Sequence, residues 1–252
     1  MQLENKVAFV TGAGSGIGAA GAVAMAREGA HVFVSDRDGA AAAAVVEAIS
    51  AEGHAATAVT LDVTDDTALV TAISQAAAFK GRIDILHSHA GLQIEGKLEE
   101  VEVADMDASW NLNVRAHFVA AKAAIAPMRA QGGGSIIITS SNSGVQYDRE
   151  MIAYATTKHA ILAMTRQMAA DYAKENIRFN SLCPGFIDTP FNRGFEIQMG
   201  GREKLDEYVR NTIPMGRFGT VEEIADSIVF LASERSSFMT GHALVIDGGE
   251  CI

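Results

Sequence analysis

The chain has 252 residues, 48% hydrophobic and 20% charged, so it can bury a full core as one large domain or two small ones without disulfide staples. Its formal charge of −11 and pI near 5.0 argue against nucleic acid or an anionic membrane surface as partner, because phosphates would be repelled. The same balance makes an acidic carrier protein a less natural partner.

The first predicted strand is KVAFV at 6–10. What precedes it lacks a basic region followed by a long apolar one, and no run approaches the roughly 20 apolar residues that span a bilayer. A cytoplasmic protein is the expectation. Further strands are predicted at HVFVSD (31–36), ATAVTLDV (56–63), RIDILHS (82–88), GSIIITSS (134–141), IRFNSLC (177–183) and ALVID (243–247). Helical spacing falls at about 17–28, 39–51, 66–79, 103–129, 153–174 and 221–232. Several of the strands are apolar almost throughout, as strands of a parallel sheet covered on both faces must be. The alternation predicts an α/β fold, a doubly wound parallel sheet of about seven strands with helices on both faces, in a single domain over 1–252. One excursion, 186–219, breaks the rhythm and reads as a substrate-binding lid.

The glycines at 12, 16 and 18 stand where the first strand turns into the first helix. There the unpaired N–H groups of a helix N-terminus, with the positive end of its dipole, suit a pyrophosphate, and a side chain would stand in its way. Their spacing is Gly-x-x-x-Gly-x-Gly, which departs from the generic dinucleotide fingerprint. Asp36 ends the second strand, 18 residues beyond Gly18, where an acid can accept from both ribose hydroxyls and repel a 2′-phosphate. That favours NAD over NADP, with Arg37 as the complication. Tyr154 and Lys158, four apart in YATTK, share a helix face, and the ammonium favours the phenolate. Ser141, at the tip of the fifth strand, lies where parallel sheets present functional groups.

TGAGSGIG at 11–18, LDV at 61–63, SHAG at 88–91, NLNVRAHF at 111–118, SS at 140–141, YATTK at 154–158, CPGFIDTP at 183–190 and TGHALVIDGG at 240–249 occur in that order. In these motifs the sequence resembles the short-chain dehydrogenase/reductase family over nearly its whole length. The resemblance implies a Rossmann-type domain in which Asn113, Ser141, Tyr154 and Lys158 are catalytic, with Asn111 a rival to Asn113. It implies that Asp62 and Val63 contact adenine, that Thr189 contacts the carboxamide, and that Ser15, Ile17, Ala90, Gly91, Pro184, Gly185 and Ile187 border the cofactor. One departure is Ser88-His89, where the family shows Asn-Asn; His89 reads as a structural histidine. The implied reaction is hydride transfer between a nicotinamide, NAD preferred, and a secondary alcohol or ketone.

Substrate candidates are Gln93, Ile94, Ser143, Gln146 and Tyr147, with Phe186, Phe191, Phe195, Met199 and Tyr208 of the lid. Those aromatics suggest a small cyclic or aryl substrate, or else the lid's own packing. Arg193, Arg202 and Arg210 read as solvated rather than as carboxylate binders. Cys183 and Cys251 show no zinc spacing, and no metal is expected. Two alternatives stand beside this: an NADPH-dependent 3-ketoacyl-carrier reductase, and a non-catalytic nicotinamide-binding redox sensor. The resemblance also implies a homotetramer, paired through the helices around 103–129 and 153–174.

Overall fold

The computed structural model describes residues 1–252. Strands β1 (Val7–Thr11), β2 (His31–Asp36), β3 (Ala56–Thr60), β4 (Ile85–Ser88), β5 (Gly134–Thr139), β6 (Ile177–Pro184) and β7 (Ala243–Ile246) form one sheet in the order β3-β2-β1-β4-β5-β6-β7. Every neighbouring pair is parallel.

Alternation within the strands sets the layers. On β1, Val7 and Phe9 enter one core and Ala8 and Val10 the other. The first core is closed by α3 (Asp66–Phe79), α5 (Ala116–Ala130) and α6 (Ile152–Tyr172), the second by α1 (Gly16–Arg27), α2 (Gly39–Ala51) and α9 (Val221–Ala232). Both faces exclude water, which is why the strand sequences lack polar alternation. Three of these helices begin on side-chain caps: Asp38 for α2, Asp65 for α3 and a Thr220–Glu223 capping box for α9. Ser15, at the start of α1, makes no such bond and leaves the first N–H groups uncapped by a side chain.

Three expectations need adjustment. The third strand stops at Thr60: Leu61 N–H still bonds to the Asp36 carbonyl at 2.8 Å, and 61–63 then leaves the sheet. The fourth strand begins only at Ile85. The helix expected over 103–129 is α4 (Val103–Trp110), a π turn at Asn111–Arg115, then α5. A π turn widens the coil by one residue and is frequent at functional sites.

The 186–219 excursion carries two helices, α7 (Arg193–Gln198) and α8 (Arg202–Thr212). Leu205, Val209 and Ile213 form a small core there with Phe186, Phe195, Met199, Tyr208 and Phe218. Its base is closed by a parallel bridge between Ile187 and Gly219, with Gly219 N–H donating to the Phe186 carbonyl at 2.9 Å. No helix is long and apolar enough to cross a membrane.

Candidate active site

Chain order reverses direction across the sheet between β1 and β4, and ligands of such sheets bind in the crevice outside the carboxyl ends of the strands at that point. A cavity of about 490 Å³ opens there, lined from the ends of β1, β2, β4, β5 and β6, from α6 and from the 186–219 excursion.

Its middle is the glycine turn. Gly12 has φ +64°, and a Cβ there would lie 2.8 Å from the Ala90 Cα; Gly16 has φ +54° and faces Thr189. Gly18 differs from both. It does not line the cavity, and a Cβ on it would run into the Gly12 carbonyl and the His89 ring. Gly18 therefore shapes the loop from behind. At one end of the cavity lie Asp36, Arg37, Asp62 and Val63. The Asp36 carboxylate is aimed by Gly14 N–H (2.9 Å) and Asp38 N–H (3.0 Å). The Thr64 hydroxyl and amide both donate to Asp62 and hold its carboxyl below the usual range. Ser15, Ile17, Ala90, Gly91, Pro184, Gly185, Ile187 and Thr189 complete the wall.

At the opposite end Ser141, Tyr154 and Lys158 meet. Tyr154 and Lys158 stand one turn apart on α6, with Lys158 Nζ 5.4 Å from the tyrosine ring centroid and donating to the Thr139 carbonyl at 3.1 Å. Ser141 follows β5 and opens the 3₁₀ turn Asn142–Gly144. Burial pushes the Tyr154 phenol up to about 12, against a smaller pull downward from the Ser141 hydroxyl. Burial also lowers Lys158 to about 8. In the protein alone, desolvation outweighs the help expected from the ammonium, and Tyr154 is a phenol.

Asn113 sits in the π turn, fully buried, whereas Asn111 is exposed. Its Nδ2 donates to the Leu92 carbonyl (2.9 Å) and to Thr157 Oγ1 (3.0 Å), and its Oδ1 accepts from Leu92 N–H at 2.9 Å. The side chain thus lies behind the wall beside Gly91 and Lys158, and it fixes the loop after β4. His89 is structural in its bonding but also lines the cavity: Nδ1 meets Thr139 Oγ1 at 3.0 Å, and His87 Nε2 meets the same hydroxyl at 2.9 Å. Burial lowers His89 to about 4, so the imidazole is neutral. At the other position of the departure, Ser88 Oγ pairs with His117 Nδ1 at 2.6 Å.

Gln93, Ser143, Phe186, Phe191 and Phe195 line the catalytic end; Gln146, Ile94, Tyr147, Met199 and Tyr208 do not. Met199 and Tyr208 pack in the excursion's own core, and Tyr147 is 98% exposed. Arg193 pairs with Glu196, Arg202 with Asp188 and Asp206, and Arg210 is exposed. Sequence reasoning missed Asn142, Asp148, Met151 and Asn192, which lie in loops or at a helix start and carry no motif.

A profile described as enoyl-(acyl carrier protein) reductase matches residues 12–250. The chain belongs to the short-chain dehydrogenase/reductase family. It is 38% identical to the 2-keto-3-deoxy-L-fuconate dehydrogenase of Xanthomonas campestris, over 98% of this chain and 81% of that one. A crystal structure of a putative NAD(P)-dependent gluconate 5-dehydrogenase from Beutenbergia cavernae, with bound NADP, superposes with a TM-score of 0.92 at 33% identity, covering 99% of this chain and 98% of the other. The structure of a 7α-hydroxysteroid dehydrogenase complexed with NADH and 7-oxo glycochenodeoxycholic acid superposes with a TM-score of 0.92 at 31% identity, covering 98% and 95%. This family member is an NAD(P)-dependent dehydrogenase acting on CH–OH donors, which removes the non-catalytic sensor.

Proposed function

We propose that this short-chain dehydrogenase interconverts a small cyclic or aryl secondary alcohol and its ketone, preferring NAD to NADP. The observation that carries the reading is the convergence of Ser141, Tyr154 and Lys158 at one end of a cavity whose other end presents the Asp36 carboxylate. A dinucleotide fits these residues. The turn lines the cavity with Gly12 and Gly16, held at φ +64° and +54°, and the first turn of α1 has no side-chain cap, so its N–H groups are open to a pyrophosphate.

The nicotinamide ring, when bound, accepts or delivers the hydride. Ser141 holds the substrate oxygen by a hydrogen bond, and Tyr154 exchanges the proton with that oxygen: as phenol it donates to the ketone, as phenolate it accepts from the alcohol. Lys158, tied to the Thr139 carbonyl, places its ammonium over the tyrosine ring and would hold the nicotinamide ribose. Asn113 keeps the loop after β4 in place through Leu92. The lid over 186–219 supplies Phe186, Phe191 and Phe195 as an apolar wall, which suits a ring. Exposed Val103, Trp110 and Phe118 on α4 and α5 support the proposed homotetramer, since a partner copy on these helices would take large apolar groups out of water.

Because burial pushes the Tyr154 phenol up to about 12, phenolate is scarce at neutral pH. Oxidation therefore speeds up as pH rises from about 6 toward 8, where Lys158 begins to lose its charge, while reduction stays level; one rising and one flat initial-rate profile check this.

Screening secondary alcohols for reduced-cofactor absorbance with NAD and NADP tests the proposal, and no turnover across rings and aryl carbinols sinks it. The second reading, an NADPH-dependent ketoacyl-carrier reductase, is favoured by one observation, Arg37 lining the cavity beside Asp36. Asp36→Ala separates the two. We expect the ratio of kcat/KM for NAD over NADP to fall at least about tenfold, as the carboxylate that repels a 2′-phosphate is removed. An unchanged ratio assigns no role to Asp36.

A further inference from the structure

Several hydrogen-bond donors in the wall around the catalytic end are engaged by the protein itself. Ser143 Oγ gives its only proton to Asp148 Oδ2 at 2.7 Å. Gln93 Nε2 donates to Glu95 Oε1 (2.9 Å), Asn142 Nδ2 to Glu250 Oε2 (2.9 Å) and Asn192 Nδ2 to the Ile187 carbonyl (2.6 Å). Ser143 thereby keeps no hydroxyl proton for a ligand, and Gln93, Asn142 and Asn192 each give one of their two amide protons to the protein.

Charge agrees with this. Asp148 lines the cavity itself, and Ser143 joins it to Ser141, whose Oγ is 3.3 Å from Ser143 Oγ. Behind the Gln93 amide stands Glu95, and behind the Asn142 amide stands Glu250, which burial and then the neighbouring Asp148 push up to about 7 so that it carries only part of a charge. The positive groups lining the cavity are Lys158, bound to Thr139, and Arg37, at the adenosine end; the excursion's Arg193 and Arg202 are paired with carboxylates of the same segment. A substrate acid group beside Asp148 would face a like charge with no arginine fork to balance it.

We infer that Asp148 is a specificity-determining residue, selecting alcohols that carry a hydrogen-bond donor, a second hydroxyl or an ammonium, and rejecting those that carry a carboxylate, sulfonate or phosphate near the reacting carbon. This deepens the proposed function and rests on it for the identity of the site. The physical cause is a like-charge contact in a confined, partly dry cavity, where repulsion is screened less than in bulk water.

The test uses the full chain saturated with NAD, so that a ketone forms a dead-end complex and no turnover is required. Titration calorimetry compares cyclohexanone rings substituted at position 4 with hydroxyl, amino or carboxyl. The hydroxyl and ammonium rings are expected to bind at least about tenfold more tightly than the carboxylate ring. In Asp148→Asn that gap closes severalfold, chiefly through tighter binding of the carboxylate. The wild-type comparison stands even where the variant folds poorly. A carboxylate ring that binds wild type as tightly as the hydroxyl ring, a gap unchanged in a folded Asp148→Asn, or no binding by any ring overturns the inference. Comparing the hydroxyl and ammonium rings tells which donor the site favours. Turnover of the matching alcohols is read separately: selective binding without any reduction of NAD sinks the dehydrogenase proposal and leaves the selectivity standing.

Discussion

Tyr154→Phe lowers turnover at least about 10²-fold while the protein still folds and still binds NADH. The phenyl ring fills the same buried space, since Tyr154 is 6% exposed and only its oxygen is removed. Lys158 keeps its bond to the Thr139 carbonyl and its place over the ring, so the cofactor side is spared. What disappears is the group that moves a proton to or from the substrate oxygen. Single-turnover rates with cofactor fluorescence as the binding control measure the two effects apart. Near-normal turnover with intact NADH binding refutes the assignment.

Gly18→Ala weakens NADH binding at least about tenfold and costs about 1–3 kcal/mol of stability, although residue 18 touches no part of the cavity. The new methyl must displace the Gly12 carbonyl, the tighter of its two clashes, and also the His89 ring, whose Cδ2 would be 2.8 Å away. Moving Gly12 swings the turn, and with it the N–H groups of the first turn of α1 are aimed elsewhere. Gly53→Ala is the matched comparison. It imposes strain at φ +82° in open space, so it lowers the melting temperature without changing the NADH dissociation constant. Equal NADH affinity in wild type and Gly18→Ala removes the loop-shaping role.

The sheet was legible because its strands are buried on both faces. Unbroken apolar runs such as VAFV and IIIT leave few other interpretations, and the bounds of β2, α2, α3 and α9 come directly from them and their caps. The π turn was not legible, since one added residue hardly disturbs the apolar spacing of NLNVRAHF, yet it buries Asn113 and leaves Asn111 outside. Asp148 escaped for another reason. It lies in an irregular loop whose path depends on Ser143 and on what packs from the far end of the chain, and no periodicity records that. The aromatics of the 186–219 excursion were ambiguous in the sequence because two of them serve twice: Phe186, Phe191 and Phe195 line the cavity, Phe186 and Phe195 also pack in the excursion's own core, and Met199 and Tyr208 pack there alone. His89 stands between these cases, since its neighbours His87 and Thr139 come from two strands that the sequence keeps far apart.

The bridge between Ile187 and Gly219 ties the two stems of the excursion side by side, and α7 and α8 share an apolar interior above that tie. A segment tied at its base and packed on a core of its own is held together as one unit. Substitutions among Leu205, Val209 and Ile213 then reshape the cavity wall that Phe186 and Phe195 share with that core, at a remove from Ser141, Tyr154 and Lys158.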